Sequence, residues 1–251
     1  MMAREKVIAI FDSGVGGLTV LSQLQKVLPS QDFVYYADLD NVPYGPKSKT
    51  MVTDLTVDAI DLIQKEFDLQ AIVLACNTAT SAAASYLRSI FRFPVIGMEP
   101  AIKPALERAG DKKVLVLATA FTLREEKLQK LVSSLDAQDR VEMIAAPGLV
   151  EYAEKGIFAG TQLEMYLKEL IGDVHLGKIG CVVLGCTHFI YYKDLIANIY
   201  GSPVLDGNDG TVRHLVSSLT TTEALNGRTF FRVSGREVQS SYFNSWLNLS
   251  S

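Results

Sequence analysis

The feature that most constrains this chain is a set of short, unbroken apolar runs, each ending in residues that can do chemistry. Val7-Ile8-Ala9-Ile10-Phe11 runs into Asp12-Ser13, and Ala71-Ile72-Val73-Leu74-Ala75 into Cys76-Asn77-Thr78. Val114-Leu115-Val116-Leu117 leads to Thr119, and Cys181-Val182-Val183-Leu184 leads to Cys186-Thr187-His188. Aliphatic runs without alternation are strands covered on both faces. Amphipathic stretches separate them. Leu18, Leu21, Leu24 and Leu28 recur at helical spacing before Pro29, and Leu55, Ala59, Leu62, Ile63 and Phe67 do so between Thr53 and Phe67. Phe33 to Tyr36 reads as a further strand, and Asn41 to Pro46 as a loop. This alternation predicts an α/β fold built on doubly wound parallel sheets. In such sheets ligands collect at the carboxyl ends of the strands, which is where all four run ends fall.

The second half of the chain echoes the first. Leu74-Ala75-Cys76-Asn77-Thr78 lines up with Leu184-Gly185-Cys186-Thr187-His188, 110 residues further on. The strand before Asp12 lines up with the strand before Thr119, 107 residues on. Two offsets this close predict two related α/β halves, with a break between Pro94 and Pro104. After Pro203 the pattern resumes with Val212 to Leu219, a strand from Phe230 to Val233 and a last helix to about Trp246. That tail is expected to pack back onto the first half. The expected domains are residues 1–96 plus 208–251, and residues 97–207.

Composition narrows the partners. The formal net charge is −4 and no long Lys/Arg block occurs, so nucleic-acid binding through bulk electrostatics is not expected. An anionic substrate would need local help from backbone N–H groups and hydroxyls. No window approaches the ~20 apolar residues of a membrane span, and the run from Val7 to Phe11 is too short for a signal sequence. Three cysteines, an odd and small number, fit a reducing compartment. The expectation is a soluble, cytoplasmic protein.

Chemistry concentrates at the strand ends. Cys76 and Cys186 each follow a buried strand and precede residues that can open a helix or turn. A thiol at a helix N-terminus is expected to have a lowered pKa and to act as a proton acceptor. Their equivalent positions in the two halves suit a two-base inversion, one group removing a proton while the other delivers one from the opposite face. Cys181 lies inside its apolar run and reads as core. Asp12 opens a Gly-rich turn and could hold an ammonium, or simply cap a helix. Gly14-Val15-Gly16-Gly17 is an incomplete dinucleotide fingerprint, with Val20 near the place of its third glycine. His188 could polarise Cys186, whereas His175 and His214 have no such neighbours. A thiol hydrolase built on Cys186 and His188 would leave Cys76 unexplained, and no CxxC or HxxxH spacing supports zinc. Backbone donors around Tyr44 and Gly45, with hydroxyls from Thr78, Thr119, Thr122 and Thr187, could neutralise two carboxylates without an arginine. Glu151 reads as a supporting acid or an ordinary helix-start Glu.

At these residues the chain resembles the glutamate racemase family of the aspartate/glutamate racemase superfamily. The resemblance rests on Ile10-Phe11-Asp12-Ser13-Gly14-Val15-Gly16-Gly17-Leu18, Val42-Pro43-Tyr44-Gly45 with Lys47-Ser48, Ala75-Cys76-Asn77-Thr78-Ala79, and Leu184-Gly185-Cys186-Thr187-His188. It implies two domains related by a pseudo-twofold with the active site between them. It implies Cys76 and Cys186 as the proton donors and acceptors, assisted by Asp12 and His188 respectively. Asp12 and Ser13 would meet the substrate amine, Tyr44 and Gly45 the side-chain carboxylate, and Asn77, Thr78, Thr187 and His188 would complete the shell. The substrate would be glutamate, with no pyridoxal phosphate, other cofactor or metal. The D-glutamate formed would feed peptidoglycan synthesis, and a homodimer is expected. Aspartate as substrate, or a non-catalytic binding role for the scaffold, are the rival readings. Leu123-Arg124-Glu125-Glu126 departs from the family pattern.

Overall fold

Strand β1 (Glu5–Asp12) explains the architecture in miniature. Val7, Ala9 and Phe11 point into one apolar cluster and Ile8 and Ile10 into another, so both faces of the strand are dry. The period of two that separates these sets is that of extended backbone. A strand apolar on both faces can only sit inside a sheet with helices above and below. The computed structural model, which describes residues 5–172, 174–219 and 226–249, shows that arrangement twice.

The remaining strands are β2 (Phe33–Ala37), β3 (Phe67–Leu74), β4 (Val95–Gly97), β5 (Lys113–Ala118), β6 (Val141–Ala145), β7 (Ile179–Gly185), β8 (Val204–Asp206), β9 (Thr229–Val233) and β10 (Arg236–Val238). One sheet has the order β10-β9-β2-β1-β3-β4 and the other β6-β5-β7-β8. Within these, β2-β1-β3-β4 and β6-β5-β7-β8 are the same order, and every pairing in both stretches is parallel. In each, the chain steps from the first strand to one side and then returns to the other, which opens a crevice at the carboxyl ends. The crevice lies at β1/β3 in one sheet and β5/β7 in the other. Asp12, Cys76, Thr119 and Cys186 all end or follow those four strands.

The second sheet repeats the dry-strand logic. Leu115 and Leu117 pack on one side of β5, and Val114, Val116 and Ala118 on the other. The short strands β4, β6 and β8 carry too few residues, or in β6 too much half-exposed edge, to register as apolar runs. The helix expected from Thr53 starts earlier, at Lys49, because the Ser48 side chain caps it by accepting the Met51 N–H at 3.2 Å. The expected last helix is instead a 3₁₀ turn (Ser240–Phe243) followed by one helical turn (Asn244–Leu247).

The tail closes the first sheet. β9 pairs in parallel with β2, and β10 folds back antiparallel on β9. Phe243 is fully buried and packs edge-on against Tyr35, with centroids 5.6 Å apart. The Trp246 indole N–H donates to the Ala153 carbonyl at 2.8 Å, fastening the tail to a helix beside the other sheet. Residues 1–4 and 250–251, the outer ends of the expected first domain, lie outside the described residues.

Asp32, just before β2, anchors this return. Its carboxylate accepts four bonds, from the Asn226 N–H, the Arg228 N–H, and Arg228 Nε and Nη2, the last at 2.6 Å. Burial alone would raise its pKa, but the Arg228 bonds and charge outweigh that and hold it below the ordinary 3.8. A carboxyl held low in the folded state stabilises the fold fully above its unfolded pKa, and the contribution fades as pH falls through the folded value. Asp32→Asn is therefore expected to destabilise the protein by about 2 kcal/mol near neutral pH. Melting curves of the two proteins should converge as pH falls below 3.8, and a constant gap would contradict the charge-based account.

Candidate active site

The turn after β1 brings the two sheets together. Glycine is required there by close approach. A Cβ on Gly16 would lie 2.4 Å from Thr187 Oγ1 and 2.6 Å from the His188 nitrogen. On Gly17 it would lie 2.8 Å from the Asp12 side chain. Asp12 is fully buried at the end of β1. It does not cap the following helix, Leu18–Val27, whose N-cap is Gly17. Instead Oδ1 accepts the Gly14 N–H at 2.7 Å and Oδ2 accepts the Thr187 hydroxyl at 2.9 Å, from across the seam. Burial raises the Asp12 pKa, with the charge on His188 and these two bonds pulling against it.

Cys76 sits at the N-cap of the helix Asn77–Ile90, where its Sγ accepts the Ala79 N–H at 3.4 Å. The Ser13 hydroxyl donates to the same sulfur at 3.4 Å. The lowered pKa expected from the helix terminus is not what the structure gives. The thiol is pushed up to about 12, first by burial and then by the neighbouring Asp12 charge, and the two donors recover only part of that. A dry sulfur beside a carboxylate loses more from desolvation than two long bonds return. Asp12 thus acts on Cys76 through its field, with Ser13 making the direct bond.

Cys186 follows β7, and its Sγ lies 3.7 Å from His188 Nδ1. His188 Nε2 lies 2.5 Å from Glu154 Oε1, the same oxygen that accepts the Val15 N–H at 3.1 Å. Burial disfavours the imidazolium, but Cys186 and Glu154 outweigh it and hold His188 well above its ordinary 6.5. Glu154 closes the helix Pro147–Glu154. Glu151, the acid singled out from sequence, stands three residues earlier on that helix, with its side chain 68% exposed and 4.0 Å from Lys155. Glu151 reaches the cavity rim and Glu154 the histidine, because burial of Ala153 and Val150 turns the helix that way.

Both cysteines line one cavity of about 270 Å³. Ser13, Tyr44, Gly45, Thr78, Thr119 and His188 line it with them. Other hollows of about 350 and 540 Å³ contain neither cysteine. Size alone would favour those; the converging thiols, hydroxyls and imidazole mark the smaller one. Asp12, Asn77, Thr122 and Thr187 stand behind the lining. Thr119 Oγ1 bridges Thr78 Oγ1 at 3.1 Å and Thr122 Oγ1 at 3.0 Å, so a chain of hydroxyls crosses from one sheet to the other. Tyr44 is held by its hydroxyl, which donates to Asp38 Oδ2 at 2.7 Å, and its ring packs against Phe11. Asn77 is buried, and neither its amide oxygen nor its nitrogen has a hydrogen-bond partner. Buried amides are rarely left so.

The other sequence candidates fall elsewhere. Cys181 is wholly buried in β7, and His175 and His214 are exposed. Among the described residues no group of three or more His, Cys, Asp and Glu side chains is arranged to hold a metal ion. No described helix is long and apolar enough to cross a membrane.

Comparison with known proteins gives a consistent picture. Residues 18–215 match the family described as Asp/Glu/Hydantoin racemase, a stretch holding both cavity-lining cysteines, Glu154 and His188. The glutamate racemase of Halothermothrix orenii is 46% identical over 237 residues, 92% of this chain and 93% of that protein. The crystal structure of Escherichia coli glutamate racemase, in complex with L-glutamate and the activator UDP-MurNAc-Ala, is 30% identical with a TM-score of 0.78. The match covers 86% of this chain and 83% of that one. Glutamate racemase from Francisella tularensis, in complex with D-glutamate, is 26% identical with a TM-score of 0.81, covering 97% and 94%.

Removing the charge of Glu154 leaves His188 buried with one fewer group to favour its cation. In Glu154→Gln the imidazole should titrate at least about one pH unit lower than in wild type. NMR of the His188 ring checks this; an unmoved titration would mean that Cys186 alone sets it.

Proposed function

The chain belongs to the Asp/Glu/hydantoin racemase family, and we propose that it interconverts L- and D-glutamate by moving protons between Cα and the thiols of Cys76 and Cys186. The observation that carries this reading is that the two cysteines, from equivalent strand ends of two similar sheets, line the same cavity. The relatives that bind L-glutamate and D-glutamate support the substrate. In each turnover one thiolate takes the α-proton and the opposite thiol gives one to the other face. Substrate and product have the same formula, and the two sulfurs exchange protonation states.

The difficulty is energetic. An α-proton is far less acidic than a thiol, so the enzyme must stabilise the carbanion and the thiolate rather than supply a strong base. Several features of the site serve this. The substrate ammonium beside Asp12 and Ser13 would offset the negative charge that now opposes a Cys76 thiolate. His188, held protonated by Glu154, can exchange a proton with Cys186 across 3.7 Å. The backbone around Tyr44 and Gly45, with the Thr78–Thr119–Thr122 hydroxyls and the Asn77 amide, offers donors for the two carboxylates. The dry walls strengthen each of these interactions.

The reading extends further. Both proton-transfer groups come from the chain itself, so the reaction needs no pyridoxal phosphate or metal. We read the two sheets as two domains, residues 1–96 with 208–251 and residues 97–207, closing on the substrate between them. The resemblance supports a cytoplasmic homodimer whose D-glutamate supplies peptidoglycan synthesis.

The test is D- and L-glutamate incubated separately in deuterated water without added cofactor. Loss of optical activity with deuterium at Cα is expected from both. Cys76→Ala and Cys186→Ala should each lower racemisation by about a thousandfold or more. Full activity in either variant would overturn the two-base account, and racemisation of aspartate in preference to glutamate would overturn the substrate.

A further inference from the structure

The carboxylate donors expected from sequence include no arginine, yet the structure brings Arg124 to the lining of the cavity that holds both thiols. Arg124 ends the short helix Ala120–Arg124, which starts at the capping Thr119, so the same turn that presents Thr119 to the cavity carries the guanidinium to its rim. It is the only lysine or arginine in that lining, and it is exposed. The acids beside it in sequence are occupied by other cations. Glu125 pairs with Lys49 at 2.9 Å, from across the seam between the sheets, and Glu126 with Lys130 at 2.7 Å. Among the described residues Arg124 itself makes no ion pair. The rim therefore holds an unneutralised cation in a chain whose net charge is −4.

We infer that Arg124 is the residue that draws the acidic amino acid into the cavity, meeting a substrate carboxylate at the rim before the thiols and backbone donors take over. This rests on the reading of the site as one for an acidic amino acid. Glutamate carries two carboxylates and one ammonium, so its net charge at neutral pH is negative and the bulk field of the protein opposes it. A single exposed cation acts over roughly a Debye length, about 10 Å at 0.1 M salt, which spans the mouth of a cavity this size. Glu151, an exposed acid on the same lining, works against it. Because the contact is made at the rim, removing it weakens capture and leaves the proton transfers little changed. The loss should fall on KM and carry a salt dependence, as rim charges do.

Arg124→Gln is expected to raise KM for both enantiomers about three- to fivefold at low ionic strength, the order of one exposed ion pair. kcat should stay within about twofold, and the dependence of KM on salt should flatten. Arg124→Lys, which keeps the charge, should restore most of that dependence, and Glu151→Gln should lower KM at low salt. Racemisation by the wild type, measured alongside, separates the two failures. A wild type that does not racemise glutamate defeats the reading of the site. A wild type that does, with Arg124→Gln matching its KM at every salt concentration, overturns the role given to Arg124. So would an Arg124→Lys variant as impaired as Arg124→Gln, since that would make the contact one of geometry rather than of charge.

Discussion

Asp12 and Thr187 meet across the seam between the sheets, hydroxyl to carboxylate at 2.9 Å, and the rest of the site is arranged around that bond. It requires that the turn after β1 come within touching distance of the turn after β7. Only a turn without side chains at Gly14 and Gly16 permits the approach. Once it is made, Val15 is close enough to donate to Glu154, Tyr191 donates to the Val15 carbonyl at 2.7 Å, and Tyr35 donates to the Gly14 carbonyl at 2.7 Å. The Gly-rich turn is thus held from both sheets. Its form superficially suits a phosphate, but its hydrogen-bonding groups are taken by Asp12, Tyr35, Glu154 and Tyr191.

Burial sets the electrical character of the site. Asp12, Cys76 and His188 are all nearly inaccessible, and burial is the largest influence on each. For Asp12 and Cys76 it wins, raising the acid and the thiol. For His188 it loses, because Glu154 and Cys186 supply negative charge and acceptors at short range. The two sides of the cavity consequently differ although their strands are equivalent. One sulfur is flanked by a hydroxyl, a backbone N–H and a carboxylate's field, the other by an imidazolium carried on an acid. A repeated scaffold has been given two electrostatic surroundings by changing a few residues after each strand.

The strand ends were legible because a doubly covered strand leaves little freedom of composition. Four or five apolar residues in a row identify it, and the polar residues that come next lie at the carboxyl edge of the sheet. Asp12, Cys76, Thr119 and Cys186 were found that way, and the near-equal offsets exposed the matching order of the two sheets. Glu154 was missed for the opposite reason. It sits on a helix with a second glutamate three residues earlier, and which of the two turns inward depends on how Val150 and Ala153 pack, a tertiary fact. Arg124 was noticed only as a departure from pattern. The sign of the Cys76 shift was misjudged because a helix terminus is visible in sequence and the dryness of a sulfur is not. Strands of three residues such as β4 and β8 leave no periodicity to read.

The return of β9 to β2 bears on how the chain comes off the ribosome. β2 is apolar on both faces, and one of its edges pairs with β1 while the other waits for residues 229–233. Every strand of the second sheet has been synthesised by residue 206, so that sheet can assemble while the first still lacks its last partner. A nascent chain therefore carries an unpaired edge on a buried strand until residues 229–233 have been made, the kind of edge that recruits strands from neighbouring chains. Residues 229–233 remove this hazard, and a chain lacking them would keep Cys76 and Cys186 and lose its protection against aggregation.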